Sequence, residues 1–256
     1  MQPRKKWGQH FLTDTNILAS IADAADITRN DTILEIGPGL GHLTRVLAQR
    51  AGRVVAVEVD AELAARLQNE FAAASNVTIV CGDILRYAPF DLVGAHFKIV
   101  ANLPYYITSA ILRHVLETAH KPRVVVVMVQ REVAQRIVAR PPAMNLLAVS
   151  IQVFARPRVM RVVPAGSFYS RPKVDSAVVR LDVEDAPRVA DSARFFEIAR
   201  AGFGEKRKQL RNALAHGLNL EREFVETALA RARINPSRRA ETLTLAEWSA
   251  VCHALN

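Results

Sequence analysis

A doubly wound, mostly parallel α/β sheet followed by a small all-α region is predicted by three observations. Short apolar runs alternate with segments of helical spacing from about 32 to 140. A glycine turn, Gly37-Pro38-Gly39-Leu40-Gly41, ends the first run and opens the first helix. Beyond about 185 every apolar pattern is helical.

The elements follow in order. Strands are predicted at 32–36, 53–57, 77–81, 98–101 and 123–129, with helices near 42–51, 61–72, 108–119 and 130–139. The helix at 42–51 places Leu43, Val46 and Leu47 on one face. Two further strands are predicted near 147–154 and 174–182, separated by an irregular basic stretch, as an antiparallel hairpin closing the sheet edge. Glu184-Asp185-Ala186-Pro187 reads as a linker. Helices then follow at 193–202, 206–217, 221–231 and 245–255. The expected domains are 1–185 and 186–256.

Composition narrows the function classes. Half of the 256 residues are hydrophobic and 23% are charged, as in a globular chain. The longest wholly apolar run, 124–129, is far too short to span a bilayer, and Met1-Gln2-Pro3-Arg4-Lys5-Lys6 has no apolar core behind it. Cys81 and Cys252 suggest neither a disulfide framework nor a metal site, so no metal is expected and a cytoplasmic location is. A net charge of +9 and a pI near 10.1 favour a polyanionic partner, nucleic acid above all. The positive charge is clustered: Arg4, Lys5 and Lys6; Arg156, Arg158, Arg161, Arg171, Lys173 and Arg180; and Lys206, Arg207, Lys208 and Arg211. A solvated basic face is the competing reading of these clusters.

The candidate site lies after successive strands. Gly37 and Gly39 let a nucleoside cofactor approach the backbone. Glu58, about 20 positions on at the end of the second strand, stands where a Rossmann-like fold holds a ribose diol. Asp83 follows the third strand and can accept from an adenine amine. Both acids are also compatible with loop or capping roles. The glycine spacing is not that of a dinucleotide fingerprint. Asn102-Leu103-Pro104-Tyr105 has the parts to hold an exocyclic amine: two carbonyl acceptors, from the Asn102 side chain and the Leu103 backbone, a rigid Pro104, and the flat face of Tyr105 for stacking. Such a tetrapeptide can also simply end a strand. The order of these two motifs suits a methyltransferase acting on a base amine.

Across nearly its whole length the chain resembles the small-subunit ribosomal RNA adenine dimethyltransferases of the KsgA type. The resemblance rests on Gly8-Gln9-His10-Phe11-Leu12, on Glu35-Ile36-Gly37-Pro38-Gly39 with Glu58 and Asp83, and on Asn102-Leu103-Pro104-Tyr105. It rests equally on the 168–176 run, on Phe203 with the 206–214 run, and on Pro236 with the 239–243 run. It implies a class I methyltransferase domain and a helical C-terminal RNA-binding domain. It implies S-adenosylmethionine as methyl donor, contacted by His10, Leu12, Gly37, Glu58, Asp83 and Asn102. The implied substrate is two adjacent adenosines in the terminal hairpin loop of 16S rRNA in an assembling small subunit, each taking two methyl groups. Asn102 and Leu103 would hold the amine, and Phe168 would either stack on a base or plug the core. Arg4, Lys5, Lys6, Arg171, Lys173, Lys206, Arg207, Lys208 and Arg211 are the expected RNA contacts. A monomer is expected.

The chain departs from the family pattern at His10 and Tyr106, where Asn is frequent, and in a short 140–146 loop. Two other functions compete. One is a large-subunit rRNA adenine methyltransferase of the resistance type, disfavoured by Pro172-Lys173-Val174-Asp175-Ser176 and the Arg/Lys-rich C-terminal segment. The other is a non-catalytic assembly or transcription factor, disfavoured by the intact glycine turn and Asn102–Tyr105 motif. Trp7 and Trp248 read as packing residues.

Overall fold

The computed structural model describes residues 11–205 and 207–255. They form two compact units, 11–134 with 156–183, and 135–155 with 184–255. The first carries the site. The expected domain boundary after 185 falls two residues beyond the 183/184 break, whereas 135–155 group with the helical unit.

The first unit is built on a seven-stranded sheet of order β4-β3-β2-β5-β6-β9-β7. Its strands are β2 (Thr32–Ile36), β3 (Arg53–Glu58), β4 (Val77–Cys81), β5 (Phe97–Asn102), β6 (Val124–Gln130), β7 (Ala155–Val163) and β9 (Ser176–Val183). β2 through β6 pair in parallel, and β9 runs antiparallel to β6 from Val124↔Asp182 to Gln130↔Ser176. The central strands are apolar on both faces, as burial of both faces requires; Val125 to Val129 are all buried. A separate two-stranded pairing joins β1 (Phe11–Leu12) to β8 (Phe168–Tyr169), with Leu12 opposite Phe168.

Helices α2 (His42–Arg50), α3 (Ala61–Glu70), α4 (Pro89–Val93) and α5 (Thr108–Leu116) fill the connections, and α6 (Arg131–Ile137) follows β6. Two helices have no counterpart in the sequence expectations: the short α4, and α1 (Thr15–Ala24), which buries Ile17, Leu18, Ile21, Ala22 and Ala24. Asp14 starts it, its carboxylate accepting from the N–H groups of Asn16 at 2.9 Å and Ile17 at 3.3 Å. These side chains join Leu43, Leu47, Val126, Met128, Phe168 and Val178 in one buried cluster.

The predicted strand at 147–154 is instead helix α7 (Leu146–Gln152). Asn145 caps it by accepting from Ala148 N–H at 3.1 Å, and Leu147, Ala148, Val149 and Ile151 are all buried. A helix buried on most of its faces carries no readable 3.6-residue period, so its apolar run imitates a strand. The strand lies in the basic stretch that was expected to be irregular. β7 is the outermost strand, and its residues 158–162 are exposed on both faces, which erases the alternation.

The second unit holds α7 with α8 (Ser192–Gly204), α9 (Leu210–Leu218), α10 (Arg222–Arg231) and α11 (Leu245–Ala254). Trp248 is its fully buried centre, 5.2 Å from Phe203 between ring centroids, and the expectation of packing holds. The helix predicted from 206 begins only at Leu210, so Arg207 and Lys208 sit in the turn before it.

Candidate cofactor and base-amine pocket

Three adjacent strands end side by side. In register, Ile36 of β2 lies beside Val57 of β3, and β5 flanks β2 on its other side. The residues that follow these strand ends therefore converge at the carboxyl edge of the sheet, where ligands bind in open α/β folds. There a pocket of about 820 Å³, counting its open mouth, is lined by the glycine turn, Glu35, Glu58, His42, Leu12, Leu18 and the whole of Asn102 to Tyr106. The two sequence motifs thus meet in one cavity.

The glycine turn owes its shape to backbone conformations that side chains resist. Gly41 has φ +76°, and a Cβ there would lie 2.7 Å from Leu67 Cδ2. Gly39 has φ +58°, and its N–H donates to Glu58 Oε2 at 3.0 Å. Glu58 Oε1 accepts from Asp60 N–H at 3.0 Å. Glu58 is 4% exposed, so it is neither a solvated loop acid nor a free arm. Burial raises its pKa, while the Asp60 and Gly39 N–H groups pull the other way.

Asn102 to Tyr105 is pinned from both sides. Leu103 N–H donates to Met128 carbonyl oxygen at 3.2 Å. The Pro104 carbonyl accepts from Thr108 Oγ1 at 3.1 Å and from Ile107 N–H at 3.3 Å. The Tyr105 hydroxyl lies 2.6 Å from the Ser176 hydroxyl, which is fully buried. Burial raises the Tyr105 pKa, so the phenol stays neutral at physiological pH. A rigid carbonyl-bearing loop beside an aromatic ring is what amine positioning needs.

Other expected residues are placed as follows. Leu12 lines the pocket, brought there by its pairing with Phe168. Phe168 is 6% exposed and packs in the buried cluster with Leu12 and Leu18, outside the pocket lining. Asp83 also lies outside that lining, because it follows β4, the far strand of the sheet. Its Oδ1 accepts from Leu85 N–H at 3.0 Å. Its charge still reaches the pocket, since Asp83 and Glu58 both add to the burial effect that raises the pKa of Tyr106. Arg171, Lys173, Arg207 and Lys208 are exposed. Arg211 is engaged internally: Nη1 pairs with Glu226 Oε1 at 3.1 Å and Nε donates to Gln209 Oε1 at 3.1 Å. Arg180 is likewise structural, held by Asp182, Asp26 and the Ala24 carbonyl. Arg4, Lys5, Lys6, Trp7, His10 and Lys206 lie outside the described residues. No cluster of three or more metal-ligating side chains occurs among the described residues, and none of their helices is long and apolar enough to cross a membrane.

Several pocket residues were not singled out from sequence. Tyr106, noted there only as a departure, stands at the mouth, 58% exposed. His42 opens α2, and its Nδ1 accepts from Arg45 Nη1 at 3.2 Å. Burial first, and then the Arg45 charge, lower the imidazole pKa, which favours the neutral ring. Glu35 is 1% exposed, and its Oε2 has no hydrogen-bond partner among the described residues. Burial pushes its pKa up to about 8, with Glu58 adding to the rise and the Thr44 hydroxyl opposing it. One signal for Glu35 was present: a lone acid in the otherwise apolar strand interior of 33–36.

The chain matches the family model described as ribosomal RNA adenine dimethylase over residues 1–256. It is 47% identical over 256 residues to the ribosomal RNA small subunit methyltransferase A of Dehalococcoides mccartyi, covering 98% of this chain and 88% of the relative. The protein of the same description from Moorella thermoacetica is 43% identical over 268 residues, covering 99% and 92%. Among solved structures, the 23S rRNA methyltransferase ErmE superposes with a TM-score of 0.76 at 28% identity, covering 96% of this chain and 99% of that one. A dimethyladenosine transferase from Plasmodium falciparum gives a TM-score of 0.81 at 22% identity, covering 94% and 96%, and shares the fold. On sequence and fold together, the chain belongs to the ribosomal RNA adenine dimethylase family.

Proposed function

We propose that this protein dimethylates the exocyclic N6 of two adjacent adenosines in the terminal hairpin loop of 16S rRNA during small-subunit assembly. The observation that carries the reading is the meeting of Gly37–Leu40 of the glycine turn and Glu58 with Asn102–Tyr105 in one pocket. S-adenosylmethionine fits that pocket as the donor: the glycine cradle admits backbone approach, and two buried carboxyl groups suit a cationic ligand. When bound, it supplies a methyl group on a sulfonium centre with a neutral leaving group, so no strong base is needed.

The chain's own residues bind and orient. Glu58, fixed by two backbone N–H groups, presents its remaining lone pairs to the ribose hydroxyls. Leu12, Gly37, Gly39 and Asn102 line the pocket, and Asp83, for the adenine amine, and His10 are assigned to the donor with them. The Asn102 side-chain carbonyl and the Leu103 backbone carbonyl accept from the target N–H groups and pull the nitrogen toward a reactive geometry. Tyr105 offers its face to the base, a contact worth roughly 1–3 kcal/mol. Phe168 supports this wall from the core and stacks on a base only if its packing opens. The target base leaves its stack to reach the pocket.

RNA binding is assigned to the basic residues Arg4, Lys5, Lys6, Arg171, Lys173, Lys206, Arg207 and Lys208, with residues 186–256 as an RNA-binding domain. Arg211 contributes less, because Glu226 already holds it. The protein acts as a cytoplasmic monomer. The likeness to ErmE favours a large-subunit target as the second reading, but at 28% identity it is outweighed by the 47% relative. The test is incubation with labelled donor and unmethylated small or large ribosomal subunits, followed by mapping of modified nucleosides. Dimethyladenosine in small subunits alone is expected; label confined to large subunits overturns the reading.

A further inference from the structure

Glu35 lines the pocket, and Thr44 stands close enough to oppose the rise of its pKa. Glu35 Oε2 and Thr44 Oγ1 are both fully buried and neither has a hydrogen-bond partner among the described residues. A buried ionised carboxylate left unpaired is far costlier than a buried neutral acid. The described groups around Glu35 offer it no counter-charge. On β3 the nearest charged group is Glu58, an acid, which already accepts from Gly39 and Asp60. On β5, Lys98 lies opposite Ile33 and is paired with Asp31 at 2.9 Å. From α2 come the neutral His42 and the Thr44 hydroxyl, and α4 offers only the exposed Asp91. Among the described residues no cation faces this carboxyl group.

We infer that Glu35 is a neutral carboxylic acid in the empty pocket and gives up its proton when the cationic methyl donor is loaded, so that donor binding and proton release are one event. The inference rests on the reading of this pocket as the donor site. The donor's positive charge supplies the counterion that the protein withholds. The O–H bond of Glu35 breaks, the proton leaves to solvent, and the electron pair stays on the carboxylate. Burial holding the group near pKa 8 agrees with this geometry. At pH 7 about nine-tenths of the empty protein would then carry the proton. Once the methyl is transferred the thioether product has lost the sulfonium charge. Glu35 regains a proton more readily, which weakens product retention relative to donor.

Titration calorimetry with S-adenosylmethionine in two buffers of different ionisation enthalpy reads the protons released. The parent protein is expected to release about one proton per donor at pH 7. Its affinity should rise nearly tenfold from pH 6 to pH 7 and level off above about pH 8. S-adenosylhomocysteine should release clearly less. Glu35→Gln, with folding checked by circular dichroism, should release none and bind with a flat pH profile. Donor binding with no proton release by the parent overturns the inference. Release that persists in Glu35→Gln overturns it equally, assigning the proton to another group. Absence of any donor binding by the parent overturns instead the reading of the pocket.

Discussion

Replacing Glu58 by Ala removes the acceptor that locks the glycine turn to the end of β3. Two backbone N–H groups, of Gly39 and Asp60, lose a partner 3.0 Å away. Bonds to a charged acceptor contribute on the order of 1.5–3 kcal/mol each. The burial that raises the Glu58 pKa shows that part of this gain is offset by desolvation, and water from the pocket mouth can reach the exposed N–H groups. A net loss of about 2–4 kcal/mol remains, which for a chain of this size lowers Tm by roughly 5–15 °C. The donor loses two ribose bonds as well as the ordered turn, so its affinity should fall by at least about a hundredfold, or some 3 kcal/mol. Glu58→Gln keeps one carbonyl oxygen and should fall between parent and Ala in both readouts. Scanning calorimetry gives Tm and titration calorimetry gives donor affinity. A Glu58→Ala protein melting within about 2 °C of the parent and binding donor within about threefold would refute both roles, since the stated bonds imply far more.

Other perturbations separate the remaining roles. Asn102→Ala should remove most turnover while weakening donor binding only moderately; near-normal turnover at saturating donor contradicts amine positioning. Gly41→Ala forces a side chain into a φ of +76° and a Cβ 2.7 Å from Leu67 Cδ2, so it should cost about 1–3 kcal/mol and blunt donor affinity, read by melting and calorimetry. Without donor, Glu35 binds its proton more tightly folded than unfolded. Its contribution to stability is therefore full below about pH 4.5, falls as pH rises and is gone above about pH 8. The loss is on the order of 3–5 kcal/mol, and urea unfolding across that window should show Glu35→Gln without it. Arg207→Ala with Lys208→Ala should lower RNA affinity and flatten the salt slope by about one to two units, leaving donor binding intact; an unchanged slope makes the pair a solvated turn.

The strand ends that build the pocket were legible because a parallel sheet writes each strand as an isolated apolar run. The register then carries Gly37, Glu58 and Asn102 to one edge without further information. Where burial is complete or absent on every face, periodicity vanishes, and α7 and β7 were exchanged for that reason. Helix α1 was missed although Asp14 marks its start, because the polar residues around it masked the Ile17–Leu18–Ile21 stripe. Glu35 was visible as an acid inside an apolar strand, but that its Oε2 finds no partner among the described residues is a property of three dimensions. The same holds for Arg211, whose charge looks available in sequence and is held by Glu226, fifteen residues away.

A structure of the protein crystallised with S-adenosylhomocysteine tests the central claim most directly. The account expects the ribose hydroxyls within hydrogen-bond reach of Glu58, the ligand backbone against Gly37 and Gly39, and the sulfur facing the Asn102 side chain and the Leu103 carbonyl. A ligand bound elsewhere, or one whose sulfur points away from Asn102–Tyr105, would contradict it.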